Sequence, residues 1–317
     1  MKPYILVPII VGSALLLTGG VVLAIGISNQ QNLKTVSNTY EITDAFSDIK
    51  VDVSSAKVNF YVSEDSSVKV IYEGLKKDAP DASVKDNIFT ITQNQNKKWY
   101  EYIFSFDWFV SRKFSIYLPS GEYENLNIKL SSGDLTMPKD FTFRSVNVKV
   151  SSGSITSSAS SKNELNYESS SGKINISDVT AKTMNIKTSS GSVTLSNANI
   201  SDDINIGVSS GKVVLSDVSG ANLDVKTSSG SITLKNTVIT NNIKAKVSSG
   251  SVYFEDSDAE TLDIEVSSGS VSGTLLSSHI FSAHSSSGRV NVPETTEGGL
   301  CRINVSSGSI NITIKNP

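Results

Sequence analysis

The triplet Ser-Ser-Gly recurs with its glycine at Gly133, Gly153, Gly172, Gly191, Gly211, Gly230, Gly250, Gly269, Gly288 and Gly308, at intervals of only 19 or 20 residues. So short and regular a period confines the chain to repeat architectures, in which each unit buries its apolar face only against its neighbours. Seven residues before the glycines stand Leu126, Val146, Leu165, Met184, Ile204, Leu223, Ile243, Leu262, Phe281 and Cys301, all residues that tolerate burial. Two residues after them stand Leu135, Ile155, Ile174, Val193, Val213, Ile232, Val252, Val271, Val290 and Ile310, apolar without exception.

Between the columns, as in Val146-Asn147-Val148-Lys149-Val150, apolar and polar residues alternate with the period of two of a half-buried strand. Positions seven, five and three before the glycine face inward, and so do positions two and four after it. The phase slips across Ser-Gly, so a corner is expected there, with glycine supplying a φ above zero. The serine directly before the glycine keeps the inward phase and is expected to stack its hydroxyl in a ladder. At least two short strands per unit, each pairing in parallel with its equivalent one turn away, make an all-β fold: a single-stranded parallel β-helix, or β-solenoid. Ten such coils form a rod on the order of 45 Å long. Leucine-rich repeats share the period, but their Leu and Asn spacing is absent, as is the Gly- and Asp-rich calcium nonapeptide.

Before the array, Ile49 to Val58 repeats the unit with Ala56 in the glycine slot, placing the start of the β-helix near Tyr40. Less regular strands follow at Val68 to Tyr72, Ile88 to Thr92 and Phe114 to Leu118. A segment with no parallel elsewhere, Trp99 to Val110, carries Trp99, Tyr100, Tyr102, Phe104, Phe106, Trp108 and Phe109. It suits a cap over the open first coil or a foot at a membrane interface. At the other end, Lys315 and Pro317 follow the last strand and are expected to discourage edge-to-edge growth.

Tyr4 to Ile27 is uncharged and long enough to cross a bilayer as a helix. The positive-inside rule places residues 1–3 in the cytoplasm, with Lys2 before the span and no charge directly after it. The organisation expected is therefore a transmembrane helix at 4–27, a linker at 28–39, irregular coils with the aromatic segment at 40–120, and the regular β-helix at 121–317, outside the cell. A cleaved signal peptide is the rival reading, but no clear small-x-small cleavage site follows the span.

The span, the opening ITDAFSDIKVDVSSAKVNFYV, the step FSIYLPSGEYENLNIKLSSGDL and the Ser-Ser-Gly series together resemble the bacterial family of putative adhesins with β-strand repeats, formerly the domain of unknown function 4097. The resemblance covers residues 40–317. It implies a right-handed parallel β-helix on a surface protein, with adhesion or cell-envelope stress signalling as the role, and it supplies no catalytic residues.

The residues agree with a non-enzyme. One cysteine and two histidines, His279 and His284, leave little for metal or nucleophilic chemistry. The best acidic cluster, Glu255, Asp256, Asp258 and Glu260, falls between strands, where a solvated loop or a calcium site is expected. His284 takes an outward slot, and His279 falls in an inter-strand loop. A polysaccharide lyase or hydrolase is the enzyme alternative, though its clustered acids do not recur in adjacent coils. With 28 basic and 31 acidic residues, a net charge of −3 gives no global field for nucleic acid. What remains is a face. Asn127, Asn147, Asn166, Asn185 and Asn205 stand six before the glycine in consecutive coils, beside Lys129, Lys149, Lys187, Lys226 and Lys246 at four before it. Stacked, they make polar ladders that either stabilise a solvated face or bind an anionic cell-wall polymer or a glycan. The partners expected are thus the lipid bilayer and such a polymer, or a membrane signalling protein, with no cofactor.

Overall fold

The computed structural model describes residues 34–93 and 110–315. The span expected at 4–27 and the aromatic residues from Trp99 to Phe109 lie outside them. Among the described residues all strands join one sheet, wound as a β-solenoid of about ten turns. No helix there is long and apolar enough to cross a membrane.

Equivalent residues of successive coils lie side by side in parallel register. Val146 sits between Leu126 and Leu165, and Asn147 between Asn127 and Asn166. The two apolar columns form the wall of the core: Leu126, Val146, Leu165, Met184 and Ile204 are fully buried, as are Ile155, Ile174, Val193, Val213 and Ile232. Each such side chain gains about 1.5–3 kcal/mol over exposure, and only stacking provides the burial.

The glycine corner has two causes. At Gly211 φ is +149°, a region that disfavours residues with a Cβ. A Cβ there would also lie 1.9 Å from the carbonyl oxygen of Gly191 in the adjoining coil. The glycines stack backbone on backbone. Ala56 does occupy the first corner, and its carbonyl lies against Gly133. The serine before the glycine departs from expectation: Ser152, Ser171, Ser190 and Ser210 are exposed, together with the serine preceding each. In the ladder Val150 and Ser152 pair with their neighbours while Ser151 is skipped. The first serine therefore steps out like a bulge and shifts the phase one residue earlier than simple alternation.

A second corner lies six residues after the glycine. Asp178, Asn197, Asp217, Asn236 and Asp256 adopt φ of 58°, 49°, 56°, 44° and 49° there. Asn and Asp tolerate this left-handed region best among residues with side chains. Asn197 and Asn236 donate their amides to the carboxylates of Asp178 and Asp217, each at 3.1 Å, so the corner is also a side-chain ladder. Beyond it a third short strand completes the coil, with residues 179–181 aligned on 198–200.

Neither end stacks in chain order. The strand Gly299–Ser307 lies between residues 262–268 and the strand His279–Ser287. Ile310–Ile314 lies between Val271–Leu275 and Val290–Asn291. The C-terminal coil is thus interior, and the Gly288 coil ends the rod. Burial explains the exchange: Cys301, Ile303, Val305, Ile310 and Ile312 are all buried, whereas Phe281, Ala283 and Ser285 are partly exposed and Val290 is 40% exposed. The coil with the weaker apolar set takes the end, where only one side offers cover. Lys315 consequently guards no edge; it contacts Asp256.

At the other end Asp48–Ser55 lies between Gly121–Ser132 and Ile88–Gln93, and Lys57–Val62 between Leu135–Met137 and Lys113–Leu118. Antiparallel strands close this end: Val68–Leu75 pairs with Lys113–Leu118, Thr35–Ile42 with Val68–Leu75, and Pro80–Lys85 with Ile88–Gln93. The first parallel coil opens at Asp48 rather than near Tyr40, which belongs to this cap. A buried ion pair, Arg112 to Asp78 at 2.5 Å, ties the cap to the coil beneath it.

Candidate functional site

The register brings the polar ladders together as their spacing implies. Asn127, Asn147, Asn166, Asn185 and Asn205 stack in consecutive coils. Asn185 donates to Asn166 at 2.9 Å and Asn205 to Asn185 at 3.2 Å. Beside them runs the lysine column, which is not purely cationic. In spatial order it reads Asp52, Lys129, Lys149, Glu168, Lys187, Gly207, Lys226, Lys246 and Glu265. Lys149 pairs with Glu168 at 2.9 Å, Lys246 with Glu265 at 2.7 Å, and Lys226 with Asp224 of the adjacent column at 2.8 Å. The hydrogen bond that Lys246 donates to Glu265, then the attraction between the two charges, raises the Lys246 pKa and lowers that of Glu265. Such exposed pairs contribute little to stability, because water and salt screen them. Counting lysines alone misses the carboxylates at 52, 168 and 265, which occupy the same slot of the repeat.

The acidic cluster lies within the strand Val252–Ser268 rather than in a loop. Its members face separate partners. Glu255 pairs with Lys235 at 2.7 Å, Asp256 contacts Lys315, and Asp258 meets His279. Among the described residues no group of three His, Cys, Asp or Glu side chains gathers as a metal site.

His279 is not a loop residue either: it opens the strand His279–Ser287 and is 1% exposed. Its Nε2 lies 2.7 Å from Asp258 Oδ1 and its Nδ1 3.3 Å from the carbonyl of Gly299. Asp258 Oδ2 accepts from the backbone N–H of Ser277 at 2.6 Å and from its hydroxyl at 2.7 Å. Burial would raise the Asp258 pKa, but the hydrogen bonds from His279 and Ser277 outweigh it and hold the carboxyl below its ordinary 3.8. Ser277 and His279 both address the carboxylate, so the relay order of a nucleophilic triad is absent. The group is structural. It pins the stretch that leaves the Gly269 coil for the end of the rod.

Cys301 lies on the inserted strand and is wholly buried. Burial, followed by the charge of Asp258, pushes its thiol up to about 12. Iodoacetamide labelling of the native protein, followed by mass spectrometry, is expected to run about a hundredfold slower than in denaturant, because thiolate and access are both lacking. Labelling at the denatured rate would mean that the inserted coil is open.

Several solved structures are similar over most of the chain. A putative adhesin from Parabacteroides distasonis ATCC 8503 shares 14% identity over 88% of this chain and 98% of its own, with a TM-score of 0.48. A putative lipid binding protein from the same organism shares 17% identity over 87% of this chain and 96% of its own, with a TM-score of 0.46. A putative adhesin from Bacteroides fragilis NCTC 9343 shares 14% over 88% and 97%, with a TM-score of 0.43. No curated protein matches the chain. The family model described as Toastrack DUF4097 matches residues 46–252 and 199–317.

Proposed function

The chain belongs to the Toastrack DUF4097 family, and on that premise we propose that it is a non-catalytic binding module, an adhesin held at the cell surface by its N-terminal span with the β-solenoid outside. The observation that carries this reading is the in-register polar face. Asn amides repeat at the strand spacing of about 4.8 Å along five coils, with lysines beside three of them, a geometry suited to an extended polymer rather than to a small molecule. Donors exceed acceptors on it only modestly, since Glu168, Asp224 and Glu265 pair with three of the lysines. The ligand class favoured is an anionic or hydroxyl-rich polymer, such as a wall polymer or a glycan, bound weakly at many points.

The test is binding of the purified protein to anionic wall polymers, neutral glycans and anionic vesicles at low and moderate salt. Changing Lys129, Lys149, Lys187, Lys226 and Lys246 to Gln is expected to weaken binding to the anionic polymer about tenfold at low salt, and less as screening rises. If the variant bound as tightly as the parent, the face would be merely structural. Binding to none of these partners would shift the reading to a protein partner in the membrane.

A further inference from the structure

The two ends of the rod differ. The N-terminal end is closed by antiparallel strands, whereas at the C-terminal end the strand His279–Ser287 pairs, among the described residues, only with Gly299–Ser307. The carbonyl of Ser287 accepts from Gly308 of the inserted coil. Because the skipped Ser286 shifts the phase between them, alternation turns the N–H and C=O of Phe281, Ala283 and Ser285 to the side where no described strand lies beside them. The side chains of the intervening Ile280, Ser282 and His284 are exposed, Ile280 by 47%. Proteins ordinarily blunt such an edge with Lys, Glu or Pro; His279 to Ser287 contains none of them.

We propose that this edge docks a second copy of the chain, the two His279–Ser287 strands pairing antiparallel about a two-fold axis. Centred on Ala283, that pairing sets Ala283 opposite Ala283 and Phe281 opposite Ser285 as hydrogen-bonded pairs, with Ser282 opposite His284 in the closer, non-hydrogen-bonded pairs between them. Antiparallel continuation is also how this chain closes its own other end. Charge fits the same geometry. Arg289 lies just past one end of the edge, while the exposed Glu294 and Glu297 flank Thr295, whose hydroxyl bonds the His279 carbonyl at the other end. The two-fold brings Arg289 of each copy toward the acidic loop of the other. Since the N-terminal strand lies at the opposite end of the rod, molecules anchored as proposed above join across facing membranes; that arrangement rests on the anchored reading, the edge pairing does not.

The experiment uses the full chain reconstituted in lipid vesicles, with clustering followed by light scattering. Wild-type vesicles are expected to cluster. The double variant Ser282→Lys with His284→Lys places like charges opposite each other and leaves the bonds to the inserted coil intact; it is expected to lower clustering at least on the order of tenfold, as is Ser282→Glu with His284→Glu. Mixing Lys and Glu vesicles is expected to restore it, which a folding defect would not do. Absence of wild-type clustering, clustering only after a different protein is added, or variants that cluster like wild type would overturn the proposal. Polymer binding measured on the same vesicles reads the module function separately, so either idea can fail alone.

Discussion

Gly211→Ala is expected to disrupt the array outright, with a loss on the order of 4 kcal/mol or more, while Gly207→Ala a few residues away leaves stability within about 0.5 kcal/mol. The Cβ at position 211 would stand 1.9 Å from the carbonyl oxygen of Gly191, a backbone atom that no rotamer change can move. The φ of +149° adds strain to the clash. At Gly207 an added Cβ meets nothing within 4 Å. Since coils hold only their neighbours, a break at Gly211 also uncouples the two halves of the rod. Thermal unfolding followed by circular dichroism separates the outcomes: a cooperative parent and Gly207→Ala, against a Gly211→Ala chain of low or split transition. A Gly211→Ala protein that melted like the parent would mean the corner is looser than the stacked carbonyls imply.

Asp258→Ala is expected to cost about 3 kcal/mol at neutral pH, because it leaves the buried His279 ring without the acceptor of its Nε2 and removes the acceptor of the Ser277 N–H and hydroxyl. Asp258→Asn keeps the shape and is expected to cost about half as much. The pH dependence follows from the depressed carboxyl. A group whose folded pKa lies below its unfolded value adds stability above the unfolded value and loses it as pH falls through the folded one. The gap between wild type and Asp258→Asn is thus full at neutral pH and closes below the ordinary carboxylate pKa of 3.8. Chemical denaturation across that range measures it. A gap that stayed constant with pH would mean the carboxylate charge plays no part. Hydrogen exchange is expected to place the loss in residues 275–314, since the pair holds the crossover to the end coil.

The repeat made much of this legible. The two apolar columns, the parallel register and Ala56 in the glycine slot all follow from period and alternation, and burial agrees at nearly every coil. The departures gather at Phe281 and Val290, the column members of one coil, and that coil is the one displaced to the end. Periodicity could not announce the displacement, because every coil has the same spacing and therefore the same pairing options. Composition could have: Phe281, Ala283 and Ser285 are a poorer inward set than Cys301, Ile303 and Val305. The second corner was equally open to reading, since Asn or Asp recurs six residues after the glycine from Asp178 to Asp256. Alternation obscured it because inward and outward phases resume unchanged on its far side. His279 was unreadable for another reason. Its burial comes from a chain crossing and from Asp258, a position exposed in the preceding coils, and neither is local. The stacking of the polar columns follows from the repeat, but their charge balance depends on cross-coil neighbours that a count of lysines ignores.

The reversed order of the end coils bears on how the protein responds to force. In a simple stacked rod, tension on a terminus peels the outermost layer, one hydrogen bond at a time. Here a pull on residue 315 must draw Ile310–Ile314 and Gly299–Ser307 out from between two layers, breaking both ladders of that coil together. Past the antiparallel cap, a pull from the other terminus meets the same obstacle at Asp48–Ser55. Rupture in shear across two interfaces needs a larger load than sequential unzipping.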